Sequence, residues 1–433
     1  MEPLNRRNAL KAMLAIPAAL GLVRLGSSES AMQATGSRSR HAPSGQPDRI
    51  CLTWPGNPAT TVAISWRTST GISKGLIEFS EATRAPYDPR RAQRLDARST
   101  QFSTPAGPCR MHRVRLSNLK PETLYQYRVG DGPNWSEWMQ FRTASAERKP
   151  FQFIYLGDTQ NDIFSQVPRV ARAAILDCPD ALFMAHGGDL VDLAERDDQW
   201  SEFFMAYAPW TATIPQLAIP GNHDYSSSGG TRTLSSHWRQ YFQYPAVDLP
   251  NLDQTVYALD VMGVRFIGLN SMDGMQQQIP WMEKVLQNNP NPWTVVMFHH
   301  PLYSSGSGRD STSRRRLWEP ILSKYNVDLV LQGHDHTYAR TRLIREGKGA
   351  TNNGSVYLTS VAGPKMYKLA LSDLHVSGAA RSQMYQVISV DGDRLRLDAK
   401  TVDGVLHDSF EIVKKSGGTK ELVNLIPPQI YNP

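Results

Sequence analysis

Five short clusters of polar residues punctuate the middle of this sequence. They are Gly157-Asp158-Thr159-Gln160, Gly187-Gly188-Asp189, Gly221-Asn222-His223-Asp224, His299-His300-Pro301 and Gly333-His334-Asp335-His336. Together they offer carboxylates, amides and imidazoles, and no thiolate. Such donors suit hard to borderline cations such as Mn, Fe or Zn. There are enough of them for two ions, and a carboxylate has two oxygens with which to bridge a pair. Two cations roughly 3.5–4 Å apart clamp the attacking and leaving oxygens of an in-line displacement. They also lower the pKa of bound water, which yields hydroxide near neutrality. Hydrolysis by a metal-activated hydroxide is the chemistry this set points to.

Each cluster follows an apolar run that reads as a buried strand. Residues 151–156 lead into Asp158, 181–185 into Asp189, 216–219 into Asn222, 294–298 into His299 and 327–331 into His334. In α/β sheets, sites lie beyond the carboxyl ends of strands. One such cluster could be an ordinary turn; five are a site. Helical stretches are expected near residues 165–176 and from Arg314 to Lys324. Residues 256–259 and 264–269 flank a Met-Gly turn and read as a hairpin. Four later runs, 355–360, 385–390, 394–397 and 410–413, read as a second sheet, with Asp391-Gly392-Asp393 a tight turn. Residues 303–310, rich in Ser and Gly, read as a mobile loop over the site and a candidate substrate gate.

A different texture occupies residues 49–145, where short β runs sit between turn residues. Runs at 61–66, 76–79, 112–116, 124–129 and 138–141 include a strict alternation at Thr61-Val62-Ala63-Ile64-Ser65-Trp66. The segment Leu119-Lys120-Pro121-Glu122-Thr123-Leu124-Tyr125-Gln126-Tyr127 resembles a fibronectin type III domain, in which a tyrosine after such a corner bonds back to the backbone. No catalytic cluster lies here, and Trp66 and Trp138 are read as core.

The ordered series GDTQ, GGDL, GNHD, FHHP and GHDHTYAR resembles the calcineurin-like metallophosphoesterases, and with the β domain in front it is most similar to their purple acid phosphatase branch. The resemblance spans about residues 49–415. It implies an all-β immunoglobulin/fibronectin III-like sandwich followed by an α/β, four-layer αββα domain over about 150–415, with 416–433 as a tail. It implies two divalent or mixed-valence ions (Mn, Zn or Fe). Asp158 and His336 would hold the first, Asp189 would bridge, and Asn222, His299 and His334 would hold the second. His223 would donate to the phosphate or leaving group, and Asp224 would hold His223. The substrate would be a phosphate ester, with a monoester expected from the purple-phosphatase-like architecture. The same core in the wider family cleaves diesters or nucleotides. An inactive envelope-binding module is a third reading, disfavoured by the intact ligand set.

Two positions depart from the purple enzymes. Their iron-binding tyrosine lies three residues after the bridging aspartate, where this chain has Asp192, so their colour is not expected. Asp192 is either a ligand or, preferably, an outer residue. Gln160 stands where many relatives in the wider family have a histidine ligand, and either ligates through its oxygen or bonds the bound water. His300 either reaches the leaving group or supports its neighbour. His186 is read as packing, Tyr338 and Arg340 as holding their loop, and Arg314, Arg315 and Arg316 as a solvated helix face from which one guanidinium could reach a phosphate.

The chain has 433 residues and a net charge of +7, room for two domains and a balance compatible with anionic substrates. No nucleic-acid-reading motif is present. Residues 1–34 combine Asn5-Arg6-Arg7-Asn8-Ala9-Leu10-Lys11 with an apolar run too short to span a membrane, and resemble a twin-arginine export signal. A Ser-, Gly-, Arg- and Pro-rich linker follows at 35–48. Of three cysteines, Cys51 and Cys109 either pair in an oxidising compartment or remain buried thiols, and Cys178 stands alone.

Overall fold

Alternating apolar and polar residues build the first domain. The computed structural model describes residues 41–433 except Tyr87 and Gly229. The leader expected at 1–34 and the start of the 35–48 linker lie outside the described residues. Seven strands follow: β1 (Asp48–Thr53), β2 (Val62–Thr68), β3 (Gly75–Glu81), β4 (Gln93–Thr104), β5 (Gly107–Leu116), β6 (Leu124–Gly130) and β7 (Met139–Arg142). The long β4 serves two sheets. Residues 93–97 pair with β3, and residues 98–104 pair with β5. The result is a sandwich of β1-β2-β5-β4 against β4-β3-β6-β7. Trp66, Ile64, Tyr127 and Phe141 fill its core. The corner forms as expected, with the Lys120 amide donating to Tyr125 Oη at 2.9 Å.

In this domain one reading is corrected, two strands are added, and of the two alternatives for the cysteines the buried free thiols are found. Trp138 is only half-buried, with the Arg128 guanidinium 4.9 Å over its ring, so it is not core. The strands β1 and β4 were not expected; β4 is mostly exposed and polar, so it lacks the apolar run that marks a buried strand. Cys51 and Cys109 are free. They lie on β1 and β5 with β2 between them, and Cys51 is level, through Ser65, with Arg113 rather than Cys109. Two strand spacings of about 4.8 Å exceed the roughly 7 Å Cα limit for a disulfide.

The second domain opens with parallel strands. These are β8 (Phe151–Leu156), β9 (Met184–His186) and β10 (Gln216–Ala218), with α1 (Ile163–Asp177) and α2 (Asp197–Ala206) between them in sequence. A hairpin, β11 (Tyr225–Ser228) and β12 (Thr231–Leu234), and a helical turn, α3 (Trp238–Tyr241), follow. Next are β13 (Tyr257–Val261), β14 (Val264–Gly268), α4 (Gln278–Gln287), β15 (Trp293–Met297), α5 (Thr312–Lys324) and β16 (Leu329–Gln332). The remaining strands are β17 (Tyr338–Thr341), β18 (Ile344–Arg345), β19 (Lys348–Gly349), β20 (Val356–Thr359) and β21 (His375–Ala379). They continue as β22 (Met384–Asp391), β23 (Arg394–Thr401), β24 (Leu406–Lys414), β25 (Lys420–Asn424) and β26 (Ile430–Tyr431).

Two large sheets result, ordered β10-β9-β8-β22-β23-β24-β25 and β13-β14-β15-β16-β20-β17-β21-β26. Aromatic side chains join their inner faces. Phe266 on β14 meets Phe153 on β8 edge-on at 5.3 Å and Phe183 at 5.0 Å. Helices cover the outer faces. Ile163, Val167, Val170, Ala171 and Ala174 give α1 one buried stripe, and Trp318 of α5 packs edge-on against Phe298 at 4.9 Å. This is the αββα arrangement. The later strands do not share one sheet as expected: β20 joins the β13 sheet, whereas β22, β23 and β24 extend the β8 sheet. Residues 416–433, read as a tail, add β25 beside β24 and β26 beside β21.

A buried ionic cluster joins the two domains. Arg49 of β1 donates to both Asp197 oxygens, at 2.8 and 2.7 Å, and to Ser201 and Tyr241. Arg67 of β2 reaches the same carboxylate at 3.0 Å, and His237 meets it at 3.1 Å. Burial would raise the Asp197 carboxyl, but His237, Arg49 and Arg67 outweigh it and hold it well below the usual carboxylate range.

Candidate metal centre

The five strand-end clusters converge at one edge of the sandwich. Asp158, Asp189 and Asn222 come from β8, β9 and β10 of one sheet, and His299, His334 and His336 from β15 and β16 of the other. Four of these residues have left-handed backbones: Asp158 (φ 41°), Asp189 (φ 52°), His334 (φ 74°) and His336 (φ 49°). Such angles are strained for non-glycine residues and concentrate at functional sites. Neighbouring glycines make room for the ligands. A Cβ at Gly221 would run into the Asp189 carboxylate, and one at Gly333 into that of Asp158.

Two donor groups stand side by side. One atom each from Asp158, Asp189 and His336 lies within 4.8 Å of the others, as does one atom each from His299, His300 and His334. Backbone carbonyls fix the imidazoles. His299 Nδ1 is 2.8 Å from the Gly187 carbonyl, which leaves Nε2 facing Asp189 Oδ2 (3.3 Å), Asn222 Oδ1 (3.2 Å) and His334 Nδ1 (3.1 Å). His336 Nδ1 is 2.9 Å from the Lys365 carbonyl, which leaves Nε2 3.9 Å from Asp158 Oδ1. Asp158 Oδ1 is buried with no hydrogen-bond partner. A cation answers this arrangement. Imidazole nitrogens that face each other and an unpartnered buried carboxylate oxygen are ligand atoms turned toward common points. Asp189 lies between the groups, facing His299 through one oxygen while the other accepts the His223 amide at 2.7 Å.

The charges tell the same story. Burial pushes the Asp158 carboxyl well above its usual range. Burial would lower the His299 imidazolium, but the carboxylates of Asp189 and Asp158 prevail and hold it up at about 9. Two buried acids draw positive charge into the site, which a metal ion supplies without a proton.

The other candidates fall into place around this core. Gln160 Nε2 is 3.2 Å from Asp189 Oδ2 and 2.8 Å from His336 Nε2, and its Oε1 is buried and unpartnered. It sits among the first donor group, either of its amide atoms being within reach of an ion. His300 packs on the His334 ring at 4.2 Å, with Nδ1 2.9 Å from Ser271 Oγ. His186 is buried against Phe203 and Tyr207 and bonded to Gln216, and burial lowers it to about 4; it packs behind the site.

Asp224 does not do what the sequence suggested. Its carboxylate is fully buried and accepts the backbone amides of Asp189 (2.8 Å), Gly221 (2.8 Å) and Leu190 (3.1 Å). It positions two strand-end loops and makes no bond to His223. Asp192 takes that task. His223 Nδ1 is 2.7 Å from the Asp192 carbonyl and 3.4 Å from its carboxylate, so Asp192 stands outside both donor groups. A residue next in sequence pointed the wrong way because the carboxylate of Asp224 turns inward, while the chain brings Asp192 back over the imidazole.

The loop at 303–310 is not a free lid. Asp335 pins it through Ser304 Oγ (2.6 Å), the amides of Ser305 (2.7 Å) and Gly306 (3.0 Å), and Arg309 Nε (3.1 Å). Arg309 Nη2 also lies 2.5 Å from His334 Nε2. Tyr338 and Arg340 are buried and both bond Asp408 on β24, at 2.8 and 2.6 Å, which ties the two sheets together. A sixth contributor carries no ligand residue that would mark it in the sequence. The loop after β20 donates the amides of Ala362 to Gly157 O (2.6 Å) and of Gly363 to Asp158 O (2.7 Å), and it carries the Lys365 carbonyl. Its signal, an apolar run ending at Gly363, is the one used elsewhere, without a ligand residue to draw notice.

Residues 47–143 match the purple acid phosphatase N-terminal domain family, and residues 151–338 the calcineurin-like phosphoesterase family. Among similar proteins, acid phosphatase type 7 of Homo sapiens is 28% identical over 322 residues, 69% of this chain and 72% of that one. Purple acid phosphatase 13 of Arabidopsis thaliana is 27% identical over 374 residues, 70% of this chain and 67% of that one. Purple acid phosphatase PPD1 from yellow lupin seeds (Lupinus luteus) shares the fold, with a TM-score of 0.75 at 19% identity over 86% of this chain and 75% of that chain. A structure of PhoD shares it with a TM-score of 0.63 at 12% identity, over 88% of this chain and 92% of that one. The chain carries a purple acid phosphatase N-terminal domain followed by a calcineurin-like phosphoesterase domain, is similar to purple acid phosphatases across both, and is a binuclear-metal, acid phosphatase-like hydrolase.

Proposed function

We propose that this chain is an exported phosphatase that hydrolyses phosphate monoesters, with Asp189 shared between two metal sites. The single observation that carries the reading is the pair of adjacent donor groups with Asp189 between them and an imidazole, His223, on their open side. Asp158, His336 and Asp189 would hold one ion, with Gln160 alongside. Asp189, Asn222, His299 and His334 would hold the other. When bound, two such cations supply a hydroxide near neutrality and screen the charge of the phosphate.

The chain's own residues do the rest. The carbonyls of Gly187 and Lys365 orient His299 and His336, and the Asp224 carboxylate fixes the loops that carry Asp189 and Asn222. Asn222, His223 and His334 are the partly exposed members, so substrate meets the site over them. The Asp192 carbonyl holds His223 Nδ1, which leaves Nε2 as the atom that delivers a proton to the leaving oxygen or a hydrogen bond to the phosphate. Export rests on the leader-like residues 1–34; no helix among the described residues is long and apolar enough to cross a membrane.

The test is elemental analysis of the leaderless protein together with turnover of an aryl phosphate and an aryl phosphodiester, for wild type and Asp189→Ala. Two metals per chain, and monoester cleavage that the variant loses, support the reading. Preference for the diester would replace the monoesterase assignment, and a metal-free, inactive protein after supply of Mn, Zn and Fe would end it.

A further inference from the structure

Outside the leader, the excess of positive charge lies in the first domain. Residues 48–145 hold 14 Lys and Arg against 8 Asp and Glu, whereas residues 146–433 hold 27 against 30. One face of β4 and β5 shows where part of that excess gathers. Strand alternation puts Phe102, Cys109 and Met111 on the face that packs against the second domain. Farther along the same face come Arg98 on β4 and Arg113 and Arg115 on β5. The buried seam between the domains therefore ends in arginines.

Arg98 and Arg113 are direct cross-strand partners. Like charges in that position are destabilising, because their Cβ atoms stand only about 5 Å apart. Arg113 is half-buried and fixed, its Nη1 donating to the Arg239 carbonyl on α3 at 2.8 Å. Arg113, Arg115 and Arg239 line one groove of about 460 Å³ between the sandwich and α3. The one carboxylate in its lining, Asp253, meets Arg239 at 3.3 Å. Arg98 and Arg115 are exposed, with no ion pair or side-chain hydrogen bond among the described residues. A run of guanidinium groups that costs free energy in the free protein is relieved by an anion laid along it.

Side-chain amides stand among these arginines. Gln243 donates through Nε2 to Ser65 Oγ at 3.0 Å, and Gln254 accepts the Tyr244 amide through Oε1. Both line the groove, and each keeps its second amide atom for a ligand, an acceptor on Gln243 and a donor on Gln254. Guanidinium groups alone would serve any anion. A free acceptor beside them calls for a ligand that also donates, and a concave groove admits a narrow chain rather than a flat bilayer. Acid groups and hydroxyls repeated along one chain are the chemistry of an acidic polysaccharide.

We propose that the groove between β5 and α3 docks an acidic polysaccharide, a uronic acid chain whose carboxylates meet Arg98, Arg113 and Arg115 and whose hydroxyls meet Gln243 and Gln254. None of the metal-centre residues lines this groove, so the proposal does not rest on the hydrolase reading. Such docking would hold the enzyme on a carboxylate-rich matrix without altering its turnover.

The experiment measures affinity for polygalacturonate by calorimetry at low and at physiological ionic strength, with neutral dextran and phosphatidylglycerol vesicles alongside. It compares wild type, Arg98→Gln/Arg115→Gln, and a charge-matched Arg84→Gln/Arg91→Gln in the same domain but outside the groove. Wild type should bind polygalacturonate, more weakly as salt rises, and leave dextran unbound. The groove variant should bind about tenfold or more weakly, and the charge-matched variant as wild type does. All four substituted residues are exposed, so Tm and turnover of an aryl phosphate should be the same in all three proteins. No binding of polygalacturonate by wild type, an equal loss in both double variants, or binding of the vesicles in preference to the polymer each overturns the inference, and each leaves the phosphatase reading standing.

Discussion

His223 is the residue whose chemistry differs most from that of its neighbours. Asp158, Asp189, His299 and His336 lie buried and turned inward, whereas His223 is partly exposed and held only through Nδ1. Replacing it with alanine should lower kcat by about 10²–10⁴-fold, the usual worth of a positioned acid or base, while metal content by elemental analysis stays at the wild-type level. His299 makes a second prediction. Its imidazolium is held up at about 9 by the Asp189 and Asp158 carboxylates, against the pull of burial. Below that pH the metal-free ring carries a proton that a ligand histidine must lose. Metal uptake should therefore release protons, and apparent affinity should rise as pH increases toward 9. Calorimetry in buffers of different ionisation heats reads the proton release directly; uptake without release would contradict the assignment of His299 as a ligand. At this scale the sequence was legible for residue type and poorly legible for orientation. Asp158, Asp189, Asn222, His299, His334 and His336 converge because each ends a strand. The hold on His223 expected of Asp224 falls to Asp192 because a side chain's direction depends on the loop's path, which no local pattern encodes.

At the scale of elements, the strand-to-loop junctions carry the site. Gly221 and Gly333 press against the carboxylates of Asp189 and Asp158 so closely that neither tolerates a Cβ. Gly221→Ala should displace Asp189 and lower metal occupancy well before it unfolds the protein. Elemental analysis set beside a thermal melt distinguishes the two effects; an alanine variant with full metal content would show that the loop can yield. The elements themselves were legible where their burial is one-sided or complete. The runs before each cluster, the stripe of α1 and the Met262-Gly263 turn, with φ of 49° and 95°, all announce themselves. The polar β4 did not, since its stability comes from pairing on two sheets rather than from an apolar face. Nor did the division of β20 from β22–β24, because sheet membership is a long-range choice that strand propensity does not contain.

For the whole molecule, the Arg49–Arg67–Asp197–His237 cluster is the buried ionic tie between sandwich and catalytic domain. Asp197→Ala would strand two guanidinium groups away from water, and we expect a loss of about 3–5 kcal/mol in chemical denaturation. A loss under about 1 kcal/mol would mean that the domains dock without it. Acid should also weaken the fold. Burial lowers His112, in the sandwich, and His186, behind the metal centre, to about 4 each. Both are near 6.5 when unfolded, so between pH 6.5 and 4 the unfolded chain binds more protons than the native one. Stability should be fully present above about 6.5 and decline as pH falls toward 4, by at most roughly 3 kcal/mol for each histidine. Tm against pH measures this, and His186→Gln should flatten the slope.

The position of β8 has a consequence for where this protein can be cut. The strand that leads to Asp158 is flanked by β9 on one side and by β22 on the other, with Tyr155 opposite Gln386. A fragment ending near residue 338, where the matched phosphoesterase segment stops, would leave that strand as a bare edge and its apolar face uncovered. A piece that keeps both neighbours of this strand therefore extends at least to Asp391, the end of β22. A chain emerging from the ribosome must hold Asp158 waiting through more than two hundred residues of synthesis before its sheet can close, so the first metal ligand to be made is among the last to be fixed in place.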